Sequence, residues 1–362
     1  MKRILFLLAA LLLFSGCVNF GSMTGKNRIS RVFCWGVPKT DAEAAKYAAA
    51  GVTDIRATNA KQCEWVIKYG MTPYCGTFTP VGPHPQVMTP EEETYHKYIN
   101  GGDLSKKMAV AERKKIIDQR RRAKNHRYGG DMVNAIDTIN TAKLRCFASD
   151  KGLVLARRKI DSILAKAPAG VKGIYIDYIG YTNHRGCYCR DCLKRYQKYL
   201  RAHKLADTPE NRDDFFRQTL VNYYNAIVDY IKSKRPEFKI VAHIYPEFNP
   251  DPLYGNRTKV DYCGQTVSWY FKWKPEKISG YTSIVTEKAN DFFPGVQGIP
   301  FIGLNINSKS SLGYKTPADV ENELKTIIAT GADTLMVCTG SAMLAPGYFE
   351  ANAQKHSRSQ HD

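Results

Sequence analysis

The chain has 362 residues, of which 43% are hydrophobic and 24% charged, and its formal net charge is +19. This is the balance of a globular protein long enough for one large domain or two small ones, and it excludes a chain too polar to bury a core. The longest apolar run, from Ile4 to Phe14, is about half the roughly 20 residues that a membrane-crossing helix requires.

Residues 1–16 read as a secretory signal. Lys2 and Arg3 supply the charged region, Ile4 to Phe14 the apolar one, and Ser15-Gly16 the small residues of a cleavage site. The segment Leu13-Phe14-Ser15-Gly16-Cys17 resembles a bacterial lipoprotein lipobox. That resemblance implies a lipid on Cys17 and a chain held at the cell envelope, on its periplasmic or surface face. Residues 17–30 are small and polar, as a tether should be. Losing Lys2 and Arg3 leaves a charge of +17, a balance that attracts acidic polysaccharide or anionic lipid, while export sets nucleic acid aside. Ten Lys or Arg fall between Lys106 and Arg127, either as a solvated helix or flexible insertion or as an anion site.

From residue 31 the chain alternates strand and helix. RVFCWG (31–36) is a predicted strand, and 40–51 a helix capped by Thr40 or Asp41 and stopped by Gly51. VTDIRAT (52–58) is the second strand, 60–70 a helix ending on Gly70, and 71–78 the third strand. Residues 81–150 open with too many prolines for a central strand and are expected to form a long, partly helical insertion. A helix over 155–167 leads to a strand at 173–179, helices at 192–204 and 213–236, and a strand at 238–248. A weaker strand at 266–273, a helix near 279–290 and a strand at 299–307 follow. The last helix starts at TPAD (316–319), with Pro317 in the favoured first position, and ends at Gly331 before a strand at 334–340.

Eight strands with intervening helices fit one (β/α)8 TIM barrel over residues 31–350, with the insertion after its third strand and a polar tail at 351–362. A doubly wound open sheet is the alternative. It would want a phosphate-binding glycine turn after the first strand, and CWGVPKTD supplies no GxGxxG.

In such a barrel the site lies at the C-terminal ends of the strands. The polar and aromatic residues predicted there are Trp35, Arg56, Asn59, Asp177, Tyr178, Tyr181, His243, Tyr245, Glu247, Trp269, Tyr270, Asn305 and Asn307. Asp177 closes an otherwise apolar strand, which is costly unless the acid has a purpose. Asp177 and Glu247 are therefore the candidate catalytic pair. One would protonate a leaving oxygen while the other stabilises or attacks an anomeric carbon. The aromatic faces would stack on a sugar, with Arg56, His243 and the asparagines bonding its hydroxyls. Each carboxylate could instead cap a loop, and His243 could be a satisfied core or substrate-binding residue. Asp261 and Glu287 read as surface residues, and no organic cofactor is expected.

Ten cysteines are present. Cys34, Cys75 and Cys338 lie in apolar runs and read as buried thiols. Cys187, Cys189 and Cys192 form a CxCxxC knuckle whose thiolates could share a structural zinc. Cys146 is the first candidate for a fourth ligand, Cys63 or Cys263 the second. Disulfides are the other reading in an oxidising compartment.

The order of Cys146, the strand acid Asp177, then Cys187, Cys189 and Cys192 resembles the zinc-cysteine arrangement of glycoside hydrolase family 42. By this resemblance Asp177 takes the place of the family's acid/base, and the four cysteines that of its zinc ligands. The family carries Asn-Glu where this chain has Ile176-Asp177, and a Glu on the strand that here ends in Asn305 and Asn307. Two expectations follow: an anchored glycoside hydrolase acting on an oligo- or polysaccharide, acidic or neutral, or a non-catalytic sugar-binding lipoprotein on a degenerate barrel.

Overall fold

The computed structural model of the protein describes residues 29–78, 150–177, 190–244, 254–270, 272–287, 293–309 and 313–349. The predicted signal, lipid tether, insertion and polar tail lie outside the described residues. Eight strands run in chain order: β1 (Arg31–Cys34), β2 (Asp54–Arg56), β3 (Thr72–Phe78), β4 (Gly173–Ile176), β5 (Lys239–Ile244), β6 (Tyr262–Ser268), β7 (Gln297–Gly303) and β8 (Thr334–Cys338). Each pairs in parallel with the next, and β8 pairs with β1, so the sheet closes into a barrel. The predicted (β/α)8 topology is the one observed.

The helices are α1 (Asp41–Ala49), α2 (Ala60–Lys68), α3 (Asp150–Ala165), α4 (Arg190–His203), α5 (Pro209–Lys234), α6 (Pro275–Glu287), α7 (Pro317–Ala329) and the short α8 (Gly340–Met343). Their starts follow capping chemistry. The Glu43 N–H donates to Thr40 Oγ1 at 3.1 Å, and the Gln62 N–H to Asn59 Oδ1 at 2.9 Å. Thr316 and Asp319 close a reciprocal capping box, with Pro317 in the first turn. Gly51 and Gly331 leave their helices with φ of 85° and 87°, which a side chain would strain.

Strand periodicity divides the core. Outward residues of β1, β2, β7 and β8, including Val32, Cys34, Ile55, Ile302 and Leu335, pack with α1, α6 and α7. Those of β4 and β5, including Ile174, Ile176, Ile240 and Ala242, pack with α3 to α5. Inward residues Phe33, Trp35, Tyr74, Tyr175, Val241, Ile299, Phe301 and Met336 fill the barrel itself, so it is a packed core and not a pore. Below them Arg31 plugs the N-terminal end. Its guanidinium donates to both oxygens of Asp54, at 2.8 and 2.7 Å, and to the Tyr262 hydroxyl at 2.9 Å.

Three sequence expectations are corrected. The sixth strand begins at Tyr262, not at residue 266, and stops at Ser268, so Trp269 and Tyr270 follow the strand rather than lie within it. Asn59, a predicted site residue, is the cap of α2. Asp261, read as a surface acid, is mostly covered; its carboxylate pairs with Lys232 and Lys239, both at 2.9 Å.

Candidate functional site

The parallel strands end together on one face, where alternate residues point inward. There stand Trp35 after β1, Arg56 on β2, Asp177 after β4, His243 on β5, Thr266 on β6, Phe301 on β7 and Cys338 on β8. Asp177 has a side chain 39% exposed, and His243 beside it only 5%. Asp177 Oδ1 lies 3.6 Å from His243 Nδ1, beyond hydrogen-bonding reach, so the contact acts through charge when the imidazole is protonated. The other ring nitrogen of His243 is 3.0 Å from Thr266 Oγ1. Its ring stacks on Phe301 at 3.7 Å and on Trp269 at 5.7 Å. Hydroxyl and rings together fix the imidazole.

Two aromatic stacks frame this centre. Trp35 lies on Tyr175 at 4.8 Å, which lies on Tyr74 at 5.2 Å. Trp269 lies on Tyr270 at 4.5 Å and seats on the backbone of Gly303, where an added Cβ would fall 2.7 Å from its ring. The Tyr270 hydroxyl is 3.7 Å from Cys338 Sγ. Burial pushes the Cys338 thiol up to about 11, aided by the charge of Asp177 and opposed by the Tyr270 bond. Burial, then Cys338 and Asp177, also raise Tyr270. Both groups are therefore neutral at pH 7 and share a cleft with Asp177. Cys34 and Cys75 are buried as expected, and Cys338, at the end of β8, is mostly covered and faces the mouth.

Arg56 reaches across to β1, its Nη2 donating to Trp35 O at 3.3 Å. Asn305 spends its amide on the loop after β7, donating to Gly313 O and accepting from the Asn307 N–H. Asn307 in turn accepts from the Lys309 N–H at 3.0 Å. Tyr178, Tyr181, Tyr245, Glu247, Cys146, Cys187, Cys189 and Cys17 lie outside the described residues. Among the described residues no His, Cys, Asp and Glu groups cluster as metal ligands. Cys192 is buried at the start of α4 and its sulfur accepts from Arg195 Nη2 at 3.2 Å.

Behind Trp269 lies an ion pair that sequence reasoning missed. Lys315 is fully buried and its Nζ donates to Ser268 Oγ (2.8 Å), Gly303 O (2.9 Å) and Glu323 Oε2 (2.7 Å). Ser268 donates to the other oxygen of Glu323 at 2.8 Å. Burial pushes the lysine down and the carboxyl up, while their mutual attraction opposes both. The pair ties the ends of β6 and β7 to α7 and so braces the indole of Trp269. The signal was present: Glu323 falls on the stripe Val320, Leu324 and Ile327 that α7 buries, and an acid on such a stripe needs a partner.

No family model and no curated protein matches the sequence. Solved structures resemble the barrel. A β-galactosidase from the psychrophilic Marinomonas ef1 aligns with a TM-score of 0.52 at 10% identity, covering 91% of this chain and 60% of that one. The polyextremophilic β-galactosidase of the Antarctic haloarchaeon Halorubrum lacusprofundi gives 0.51 at 11% identity, over 89% and 55%. α-L-Fucosidase isoenzyme 2 from Paenibacillus thiaminolyticus gives 0.49 at 13%, over 92% and 50%. At such identity the likeness to the two β-galactosidases is one of fold, a (β/α)8 barrel, and the chain spans only 50–60% of the length of the three proteins.

Proposed function

We propose that this protein is an envelope-anchored carbohydrate-active enzyme, a glycoside hydrolase using Asp177 with Glu247. The observation that supports it most is Asp177 itself, a half-exposed carboxylate at the mouth of a closed parallel barrel, beside His243 and under a wall of Trp269 and Tyr270. Aromatic faces there offer sugar-stacking surface beside an exposed carboxylate that can serve as a general acid or base. The likeness to solved β-galactosidase barrels fits this reading. Asp177 acts as acid/base and Glu247 as its partner. A carboxylate separation near 5 Å gives retention, and roughly 6.5–9.5 Å gives inversion.

A sugar-binding barrel without hydrolysis is the second reading. It is favoured by the loop after β7, whose Asn305 and Asn307 are engaged with loop backbone, and by Asp177 being the one carboxylate at the mouth's interior face among the described residues. Assays on aryl glycosides and polysaccharides with Asp177→Asn and Glu247→Gln separate the two. Hydrolysis is expected to fall about 10²–10⁴-fold in each variant with binding retained. Binding without turnover in the parent protein establishes the second reading, and full activity in Asp177→Asn refutes the first.

A structural zinc held by Cys146, Cys187, Cys189 and Cys192 would pin the loop behind β4 and take no part in bond cleavage. Elemental analysis of gently purified protein should find about one zinc per chain; a zinc-free protein with blocked thiols would mean disulfides instead. A lipid on Cys17 adds a diacylglyceryl mass that Cys17→Ser abolishes.

A further inference from the structure

We infer that the face of the barrel opposite the candidate site rests on an anionic phospholipid surface. The chain enters the barrel on that face. Ile29 is buried there, and the Ser30 and Arg31 N–H groups both donate to Asp333 O, at 2.7 and 3.3 Å, where β1 and β8 begin. From Cys17 to Ile29 the chain spans at most about 40 Å when extended, and about 20 Å as a relaxed coil. On the anchored reading proposed above, on which this inference rests, a lipid on Cys17 tethers the barrel by this face, and the mouth with Asp177 lies at the opposite end.

The chemistry of the face matches such a partner. Lys68, Lys166, Lys172, Lys234, Lys239 and Lys259 stand exposed at or just before the starts of β3 to β6. Helix dipoles account for the lysines in the last turns of α2 and α5. Lys166 directly follows the end of α3 and falls under the same rule, but helix dipoles do not account for Lys172, Lys239 and Lys259. Exposed acids on this face or one turn above it are Glu64, Asp161, Asp229, Glu237, Glu287 and Asp333, and Asp161 accepts from the Tyr230 hydroxyl at 2.7 and 2.8 Å. Asp229 is held by Lys259 and Glu237 by Arg235, while Lys239 pairs with Asp261 and Lys68 with Asp41. Lys166, Lys172 and Lys234 form no ion pair among the described residues and are the ones open to headgroups. Each lysine near an anionic bilayer strengthens binding about fivefold.

The test uses the chain from residue 18 onward, so that neither the apolar run Ile4–Phe14 nor a lipid on Cys17 contributes, sedimented with vesicles of phosphatidylcholine alone or mixed with phosphatidylglycerol. Binding is expected to the anionic vesicles only, reversed by salt. The triple variant Lys166→Gln/Lys172→Gln/Lys234→Gln should bind about a hundredfold more weakly, with unchanged thermal unfolding. Equal binding to both vesicles, or none, overturns the inference. So does a triple variant that binds like its parent while neutralising the Lys and Arg of residues 106–127 abolishes binding. Loss of binding to a soluble acidic polysaccharide, with no vesicle binding in the parent, overturns it too. The sugar reading of the mouth stands or falls separately.

Discussion

Replacing Glu323 by leucine should show how firmly the mouth depends on the ion pair behind it. The variant leaves the fully buried Lys315 with only two neutral acceptors, Ser268 Oγ and Gly303 O. Stranding a buried charge in this way costs about 3–5 kcal/mol. At roughly 2–4 °C per kcal/mol for a chain of this size class, the midpoint should fall by about 6–20 °C. The double variant Lys315→Met/Glu323→Leu removes both charges and should recover most of that loss, because a well-packed apolar pair replaces a buried ion pair at little or no cost. Urea denaturation at pH 7, followed by tryptophan fluorescence, measures all three proteins, with Trp269 one of the four indoles that contribute to the signal. A single variant that loses less than about 1 kcal/mol would refute the buried pairing, and so would a double variant less stable than the single one.

Other outcomes follow from the same kind of reasoning. Burial alone would raise the carboxyl of Asp261, but Lys232, Lys239 and the Ile240 N–H outweigh it and hold Asp261 below its usual range. Its stabilisation is therefore complete above the unfolded-state value of about 4 and is lost as pH falls through the lower folded value. Asp261→Asn should cost about 1–3 kcal/mol at pH 7, and urea melts across pH should show the gap to the parent closing in acid; a gap that is constant with pH would contradict this. Gly264→Ala would press a methyl against Met336, whose Cε lies 2.8 Å from the added carbon, and should cost about 1–3 kcal/mol. Because Met336 is fully buried, Met336→Ala is costly by itself, so the double variant should lose less than the sum of the two single losses. Strict additivity would mean that the Ala242 carbonyl, 3.1 Å away, is the real obstacle.

The barrel was legible because its signals are local and repeat: a cap, a helix, a stop and a β-branched run recur along the chain. The sixth strand was misplaced for an equally local reason. Tyr262 to Gln265 contains a glycine and a glutamine, and Trp269-Tyr270-Phe271 after it looks more strand-like. Only the folded barrel shows that Gly264 is small because Met336 of β8 occupies its place, a contact between residues far apart in sequence. Asn59 could have been recognised as a cap from the helix it precedes. The mouth was partly legible. Inward alternation on β4 and β5 brings Asp177 to His243, as a period of two requires. The loop bonds that engage Asn305 depend on Gly313, which no strand period could reveal.

The pairing of β1 with β8 reaches beyond architecture. Ser30 and Asp333 meet across 303 positions of chain, so the cylinder cannot shut until its last strand has been made. A ribosome working from the N-terminus leaves β1 with an open hydrogen-bonding edge for nearly the whole of synthesis, and such edges invite wrong partners. Closure is thus a late, all-or-none event with high contact order. Truncation just before residue 334 should release a sticky, unclosed sheet rather than a smaller barrel.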